Sequence, residues 1–429
     1  MLFNIKNWLN RFSKKSLVRN TLWMLMAQGL RIVLQAFYFV LIARALGADQ
    51  YGAFVGATAF VAIFAPFASL GGGNLLIKNV SRNRELFNEY WGNALLMILV
   101  SGLILIGFIL LASPLILPKT ISLLMLSLIA VTDLIFARIL DTAGQAFQSV
   151  LWLSKTAQLN ILPQVTRLIV AFAFIHIFPK AGALEWAVLY LASTSFCAVF
   201  GILLVHRCLG TPKLALSRIT PEITEGFYFS ISLSAQTIYN DIDKTMLARL
   251  STLEATGIYA AAYRLIDVAF VPVRSLLYAA YAKFFQQGSK GIQGSLDLAK
   301  RLLPFAGIYG VIAGLGLFFC APIVPSILGD EYRGAVEALR WLAPLPFLKA
   351  MHYFAADMLT GANFQRLRSA VQVMIAVLNI LFNVWLIPLY SWKGAAWASL
   401  ISDGFLMLSL WFWVAFFYQQ QIQNIKANK

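Results

Sequence analysis

Runs of about 20 mostly apolar residues, long enough for a helix to cross the hydrocarbon core of a bilayer, recur from near residue 20 to near residue 419. Of the 429 residues 60% are hydrophobic and 12% are charged, a balance that excludes a soluble globule and leaves no stretch for a sizeable soluble domain. Charged or Pro/Gly-rich breaks divide the chain into twelve expected helices, near 20–43, 51–77, 91–115, 120–140, 156–178, 183–207, 226–248, 255–284, 300–328, 335–361, 367–390 and 393–419. The first is long and has no small-residue cleavage site after it, so it reads as a span and not a removed signal peptide. The expected fold class is all-α integral membrane.

Lys and Arg set the orientation, because cationic loops resist translocation. Lys6, Arg11, Lys14, Lys15 and Arg19 precede the first span, and with the loops on their side they make 21 cations against 6 on the other. Both termini are therefore expected in the cytoplasm, as an even number of spans requires. Cys197, Cys208 and Cys320 show no paired spacing, which indicates neither a disulfide framework nor a metal site.

The chain also resembles itself. A shift of 205 positions lays "ARALGADQYGAFVGA" from Ala43 over "ARLSTLEATGIYAAA" from Ala248 without a gap. "GQAFQ" at Gly144 echoes "GANFQ" at Gly361, and "PKAGALEWA" from Pro179 echoes "PLYSWKGAAWA" from Pro388. Three echoes in one order point to duplication of a six-helix half. Because six is even, both halves enter the membrane the same way, an arrangement that transporters use with the substrate site between the halves. The expected organisation is a cytoplasmic segment over 1–19, a six-helix bundle over 20–207, a cytoplasmic linker over 208–225, a second bundle over 226–419 and a cytoplasmic tail over 420–429.

"ARALGADQYGAF" after the first span, "ASLGGGNLLIK" from Ala68 closing the second, and "DIDKTMLARLSTLEATGIYAAAYRL" opening the second half are similar to the polysaccharide flippases, the Wzx-type members of the multidrug/oligosaccharidyl-lipid/polysaccharide exporter superfamily. The resemblance spans nearly the whole chain in length, span number and order, and its motifs are degenerate, so they mark the family better than the cargo. It implies two six-helix bundles around a central cavity in a bacterial inner membrane. It further implies alternating access that moves an undecaprenyl-pyrophosphate-linked oligosaccharide to the outer leaflet for O-antigen, capsule or exopolysaccharide assembly, beside polymerase and chain-length proteins.

The residues support a polar path. A charge at mid-membrane costs about 2.5–3.5 kcal/mol on insertion scales, so it is normally turned toward a partner or water. Gln28, Arg31 and Gln35 stack on one face of the first span; the 205 shift puts Leu233, Gln236 and Asn240 in their places, a polar stripe without the arginine. Further inward candidates are Arg167, His176, Lys244, Arg264, Arg274, Arg340, Lys349 and His352. A guanidinium offers fixed bidentate donors to phosphate oxygens, which suits a pyrophosphate cargo, and Gln28, Gln35, Asn240, Tyr239 and Trp23 offer amide, hydroxyl and aromatic faces to sugars.

Each of these has a structural reading as well. Arg264 and Asp267 share a helix face and are placed to neutralise each other. Arg31 and Arg167 either face cargo or pair between helices, Arg274 and Arg340 lie near helix ends where snorkelling suffices, and the histidines fit satisfied core positions. In "NDIDKTMLARL" from Asn240, Asp241 and Lys244 are three apart and able to pair, whereas Asp243 lies on another face and needs a different partner; Asp243 and Lys244 are read as lining or gating residues. "DID" mimics a glycosyltransferase metal motif, but in a helix its acids point about 200° apart. Asp133, Asp141, Asp357 and Asp403 are each able to bind a coupling proton or sodium ion or to pair with an arginine. With Asp243 and Asp267, Asp357 is placed among the coupling or gating candidates.

An ion-coupled multidrug antiporter is the strongest alternative, but its cationic cargo favours acids, whereas this chain has 34 Lys and Arg against 18 Asp and Glu. A membrane-embedded polysaccharide polymerase would show a large outer loop, and the longest here is short, near "LGDEYRGAVE". No "GxxxxGK" phosphate loop is present. The reading is a transporter with no cofactor, metal or nucleic acid, partnered by lipid-linked oligosaccharide and membrane lipid.

Overall fold

The computed structural model describes the backbone over residues 3–81, 83–177, 182–216, 219–288 and 291–427, with side chains described for most of these from residue 29 onward. All the elements described are helical. They are α1 (Phe3–Phe64), α2 (Gly72–Val80), α3 (Phe87–Ile116), α4 (Leu123–Val131), α5 (Ala137–Ser149), α6 (Leu153–Ile177), α7 (Ala183–Cys208), α8 (Ile219–Leu250), α9 (Leu253–Gly288), α10 (Ile292–Cys320), α11 (Val324–Leu328), α12 (Gly334–Leu342), α13 (Leu345–Gly361), α14 (Gln365–Tyr390) and α15 (Trp392–Ala427). A π turn over Thr132–Phe136 joins α4 to α5.

Among the described residues eight helices are long and apolar enough to cross a membrane. The other expected spans are present as helices but do not register separately. The second is fused to the first in α1, α8 and α9 carry charges among their apolar residues, and the expected tenth span is broken into α12 and α13, of 9 and 17 residues, each too short to cross alone. Large apolar side chains such as Leu103 and Leu111 of α3, Ile308 and Ile312 of α10, and Phe412 of α15 point out of the fold, the inversion expected where hydrocarbon is the solvent.

The chain divides into two compact units. The first comprises 1–45, 61–115 and 119–234; the second comprises 46–60, 116–118 and 235–429. In the first, α5 packs against α2, α6 and α7, and α4 against α7. Glycines permit the closest approach: Gly72 lies on Ala94, and Gly92 leaves no room for a Cβ beside the Lys213 backbone. The chain after α7 is strapped to α3, with Asn93 exchanging two hydrogen bonds of 3.0 Å with the Ala215 backbone. Helix α8 starts at Ile219, inside the stretch expected as linker.

In the second unit α13 packs against α9, α10 and α15 around Phe270, Phe284, Phe354, Leu359 and Leu410. Helix α1 breaks at Gly47 (φ 72°), a conformation that favours glycine. The segment restarting at Ala48 is capped from afar by Glu331, whose Oε2 accepts from the Ala48 N–H at 2.9 Å. That segment crosses α9 at two glycines: a Cβ on Gly52 would overlap the Leu253 carbonyl, and one on Gly257 the Ala48 carbonyl. Residues 48 and 52 become 253 and 257 under the 205 shift, so the repeat reappears as a reciprocal contact between equivalent residues.

The second echo fits less closely. Helices α5 and α13 end in the same way, with Leu151 (φ 64°) and Asn363 (φ 66°) left-handed and the next residue's N–H reaching back five positions, Trp152 to Phe147 and Phe364 to Leu359. Those residues are 212 apart, whereas "GQAFQ" and "GANFQ" are 217 apart. The motif marks equivalent helix ends five residues out of register.

Candidate functional site

Two clusters of buried and half-buried polar groups stand out, one in each unit. In the first, the π turn presents Asp133 to α7, where Oδ1 accepts from the Tyr190 hydroxyl at 2.8 Å. Arg167 of α6 lies over the Tyr190 ring, 4.5 Å from its centroid. Its Nη2 donates to Tyr190 Oη at 3.2 Å and to Thr194 Oγ1 at 3.3 Å. The Arg167 Nε–H is buried and has no acceptor, and among the described residues no carboxylate touches the guanidinium. Tyr190 thus stands between cation and acid. An unmade hydrogen bond on a buried donor costs about 1–3 kcal/mol, more when the donor is charged, so the site holds donor capacity that an anion would satisfy.

In the second unit the polar groups of α8, α9, α13 and α15 form a chain. Asp243, 3% exposed, accepts from the Tyr259 hydroxyl, with Ser399 Oγ 2.9 Å from Tyr259 Oη and 3.4 Å from Asp243 Oδ2. Lys244 Nζ bonds Asp241 at 2.5 Å and the Asn240 carbonyl at 3.1 Å. Lys244 and Lys349 each place their ammonium 4.5 Å from the Tyr263 ring centroid, and Lys349 also donates to the Tyr263 hydroxyl at 2.8 Å. Asp267 is 3.9 Å from Lys349 and 3.8 Å from Arg274. His352 Nε2 is 2.8 Å from Asp403 Oδ1, with the Tyr353 ring stacked on the imidazole at 4.7 Å. Burial at this level requires that charges be paired and hydrogen-bonded, which the tyrosines accomplish.

The expected residues divide accordingly. Arg167 lies in the first cluster; Asn240, Asp243, Lys244 and Asp267 lie in the second, where the expected Asp241–Lys244 pair is formed and Asp243 has the separate partners its face requires. The expected Arg264–Asp267 pair is not formed: Asp267 turns to Lys349 and Arg274, and Arg264 is half-buried apart from it. Arg274 and Arg340 are exposed, the first 5.7 Å from the Phe270 ring centroid and the second 5.3 Å from that of Phe318. Asp357 joins neither cluster; at the end of α13 it sits 3.7 Å from Arg368, which bonds Thr360 at 2.7 Å. His176 is exposed and bonds the Phe172 carbonyl. Arg31 and Gln35 are half-buried on α1. The side chains of Gln28, Trp23, Leu233 and Gln236 lie outside the described residues.

Sequence reasoning passed over Tyr190, Tyr259, Tyr263 and Ser399, which connect the charges. Their signal was a tyrosine inside a span, since its hydroxyl needs a partner when buried. Among the described residues no group of three or more His, Cys, Asp or Glu side chains is placed to hold a metal ion.

The family profile described as "Polysaccharide biosynthesis protein" matches residues 17–281. The chain belongs to that family. This polysaccharide biosynthesis family member is 25% identical over 410 residues, 90% of it and 81% of its relative, to a candidate low-salt glycan biosynthesis flippase, Agl15, of Haloferax volcanii. To a candidate O-antigen transporter of Escherichia coli it is 23% identical over 414 residues, 93% of one chain and 96% of the other. Among solved structures, an inward-facing multidrug transporter of the MATE family and MOP superfamily superposes with a TM-score of 0.74 at 13% identity, covering 91% of this chain and 98% of that one. A MOP superfamily transporter of Pyrococcus furiosus, described as having a binding pocket of reverse polarity, gives 0.64 at 13% over 94% and 96%. The fold is that of the superfamily, twelve helices in two bundles, and the protein is a multi-pass membrane protein.

Proposed function

We propose that the chain is a flippase that moves an undecaprenyl-pyrophosphate-linked oligosaccharide from the cytoplasmic to the outer leaflet of the bacterial inner membrane by alternating access, with both termini cytoplasmic and without catalysis. The observation that carries the reading is Arg167, half-buried over the Tyr190 ring with its buried Nε–H unanswered and, among the described residues, no carboxylate against it. A guanidinium held by hydroxyls and a ring keeps its charge for a ligand, and phosphate oxygens match its donor geometry. Moving an unpaired phosphate into hydrocarbon costs on the order of tens of kcal/mol by Born reasoning, so a cation held within the span lowers the barrier where bare lipid does not. The relatives' names, a glycan biosynthesis flippase and an O-antigen transporter, support the same cargo class. Polymerase and chain-length proteins would take the product on the far side.

The second cluster supports ion coupling. Within the cluster Asp241, Asp243, Asp267 and Asp403 stand against Lys244 and Lys349, with Arg274 reaching Asp267 from its edge, and His352 faces Asp403. A surplus of acids in a membrane-embedded cluster is relieved by taking up a proton or a sodium ion.

The test is made in a strain lacking the gene, with the biosynthetic pathway intact. Lipid-linked oligosaccharide should accumulate on the cytoplasmic face and clear when the gene is restored, its mass revealing the cargo. Absence of accumulation, together with increased drug sensitivity, would support the multidrug antiporter instead.

A further inference from the structure

On the outside of the second unit, helices α10 and α13 part to leave a groove of about 480 Å³ lined by Leu303, Pro304, Gly307, Ile308, Phe347 and Met351, extending to Val311 and Ile312. Every lining group is apolar. Gly307 opens its floor, a position where a Cβ would stand 3.1 Å from the Met351 methyl. The lining positions of α10 run from 303 to 312, about 14 Å at 1.5 Å per residue, which is the depth of one leaflet, half of a hydrocarbon core of about 30 Å.

One end of the groove is marked by charge. Lys300 and Arg301 are exposed and are the last charged residues before Asp330, so they stand where hydrocarbon gives way to head groups. Lys300 lies one turn before Pro304 on the row that continues through Ile308 and Ile312. It is held loosely, 3.9 Å from Asp297 and 5.8 Å from the Tyr418 ring centroid. Pro304 lacks the N–H that would bond the Lys300 carbonyl, which opens the first turn at the same level.

We propose that this groove holds one acyl chain of an anionic glycerophospholipid, its phosphate resting on Lys300 and Arg301. The length decides the occupant: a chain one leaflet deep fits, whereas a polyprenyl tail would overrun the groove. The cations decide the headgroup, because lysine and arginine at a membrane surface attract anionic lipid. The proposal does not depend on the transported cargo.

Native mass spectrometry of the full chain released from detergent, with phosphatidylglycerol or phosphatidylcholine of the same chains added, tests it. The wild type should retain phosphatidylglycerol several-fold more than phosphatidylcholine. Lys300→Gln with Arg301→Gln should bring the two lipids level, and Gly307→Leu should lower both. The charge variant lies on the surface and keeps the test decisive if the groove variant fails to fold. Equal retention of both lipids by the wild type, or unchanged preference in the charge variant, would overturn the proposal. So would one-for-one displacement of bound phosphatidylglycerol by undecaprenyl phosphate, which would give the groove to the cargo.

Discussion

A guanidinium over a tyrosine ring, with one donor unanswered, is in tension with its surroundings unless something anionic visits it. Arg167→Ala should therefore reach the membrane at wild-type levels and lose export, measured as cytoplasmic accumulation of the lipid-linked oligosaccharide, with Arg167→Lys retaining part. Normal export by the alanine variant would remove Arg167 from the transport path and leave the family untouched. The buried pair of the second unit behaves differently, since His352 and Asp403 satisfy each other at 2.8 Å. Removing one partner of a buried pair leaves the other exposed to the full desolvation penalty, about 3–5 kcal/mol. Asp403→Ala should lower the melting temperature of the purified protein markedly, and pairing it with His352→Leu should recover part of the loss. A double variant no more stable than Asp403→Ala alone would show that the two residues are not coupled. These pairings were only partly legible in the sequence. Helical spacing found Asp241–Lys244, but Arg264–Asp267 has the same spacing and does not pair, because Lys349 from another helix and Arg274 two turns on draw Asp267 away.

Helix existence was legible throughout, because apolar length is a local property, whereas breaks inside helices depend on distant residues. Gly47 carries a positive φ because Glu331, 283 positions away, caps the segment that restarts after it. Nothing within a helical window signals that. The "LGGG" stretch, expected to close the second span, instead turns at Leu70 (φ 42°) and Gly71 (φ 68°) and opens α2. The repeat was legible in the run around Gly52 and Gly257, and the structure gives its physical reason: at both positions a methyl group would overlap a partner carbonyl. Gly52→Ala and Gly257→Ala should each destabilise the purified protein by several degrees in melting temperature, whereas Gly29→Ala, with no atom within 4 Å of its Cβ, should not. Equal tolerance at all three positions would mean that the crossing relaxes freely and that the glycines serve something other than close approach.

At the scale of the molecule, composition excludes a soluble fold and the cation count predicts the sides, because both depend on totals and not on contacts. The two bundles follow from the duplication, and superposition on superfamily transporters at 13% identity shows how little sequence the architecture needs. The orientation is a separate inference from the fold, and native chemistry tests it. Cys208 ends α7, is exposed, and falls on the side assigned to the cytoplasm, whereas Cys197 is buried. Arg333 follows α11 on the opposite side, with its side chain 77% exposed beside Asp330. With the other exposed cysteine, Cys320, replaced by serine, an impermeant maleimide applied to spheroplasts should label Arg333→Cys at once and reach Cys208 only after permeabilisation. Labelling in the reverse order would put both termini outside. The cationic loops would then face the wrong way for the positive-inside rule, and the direction of transport proposed here would reverse with them.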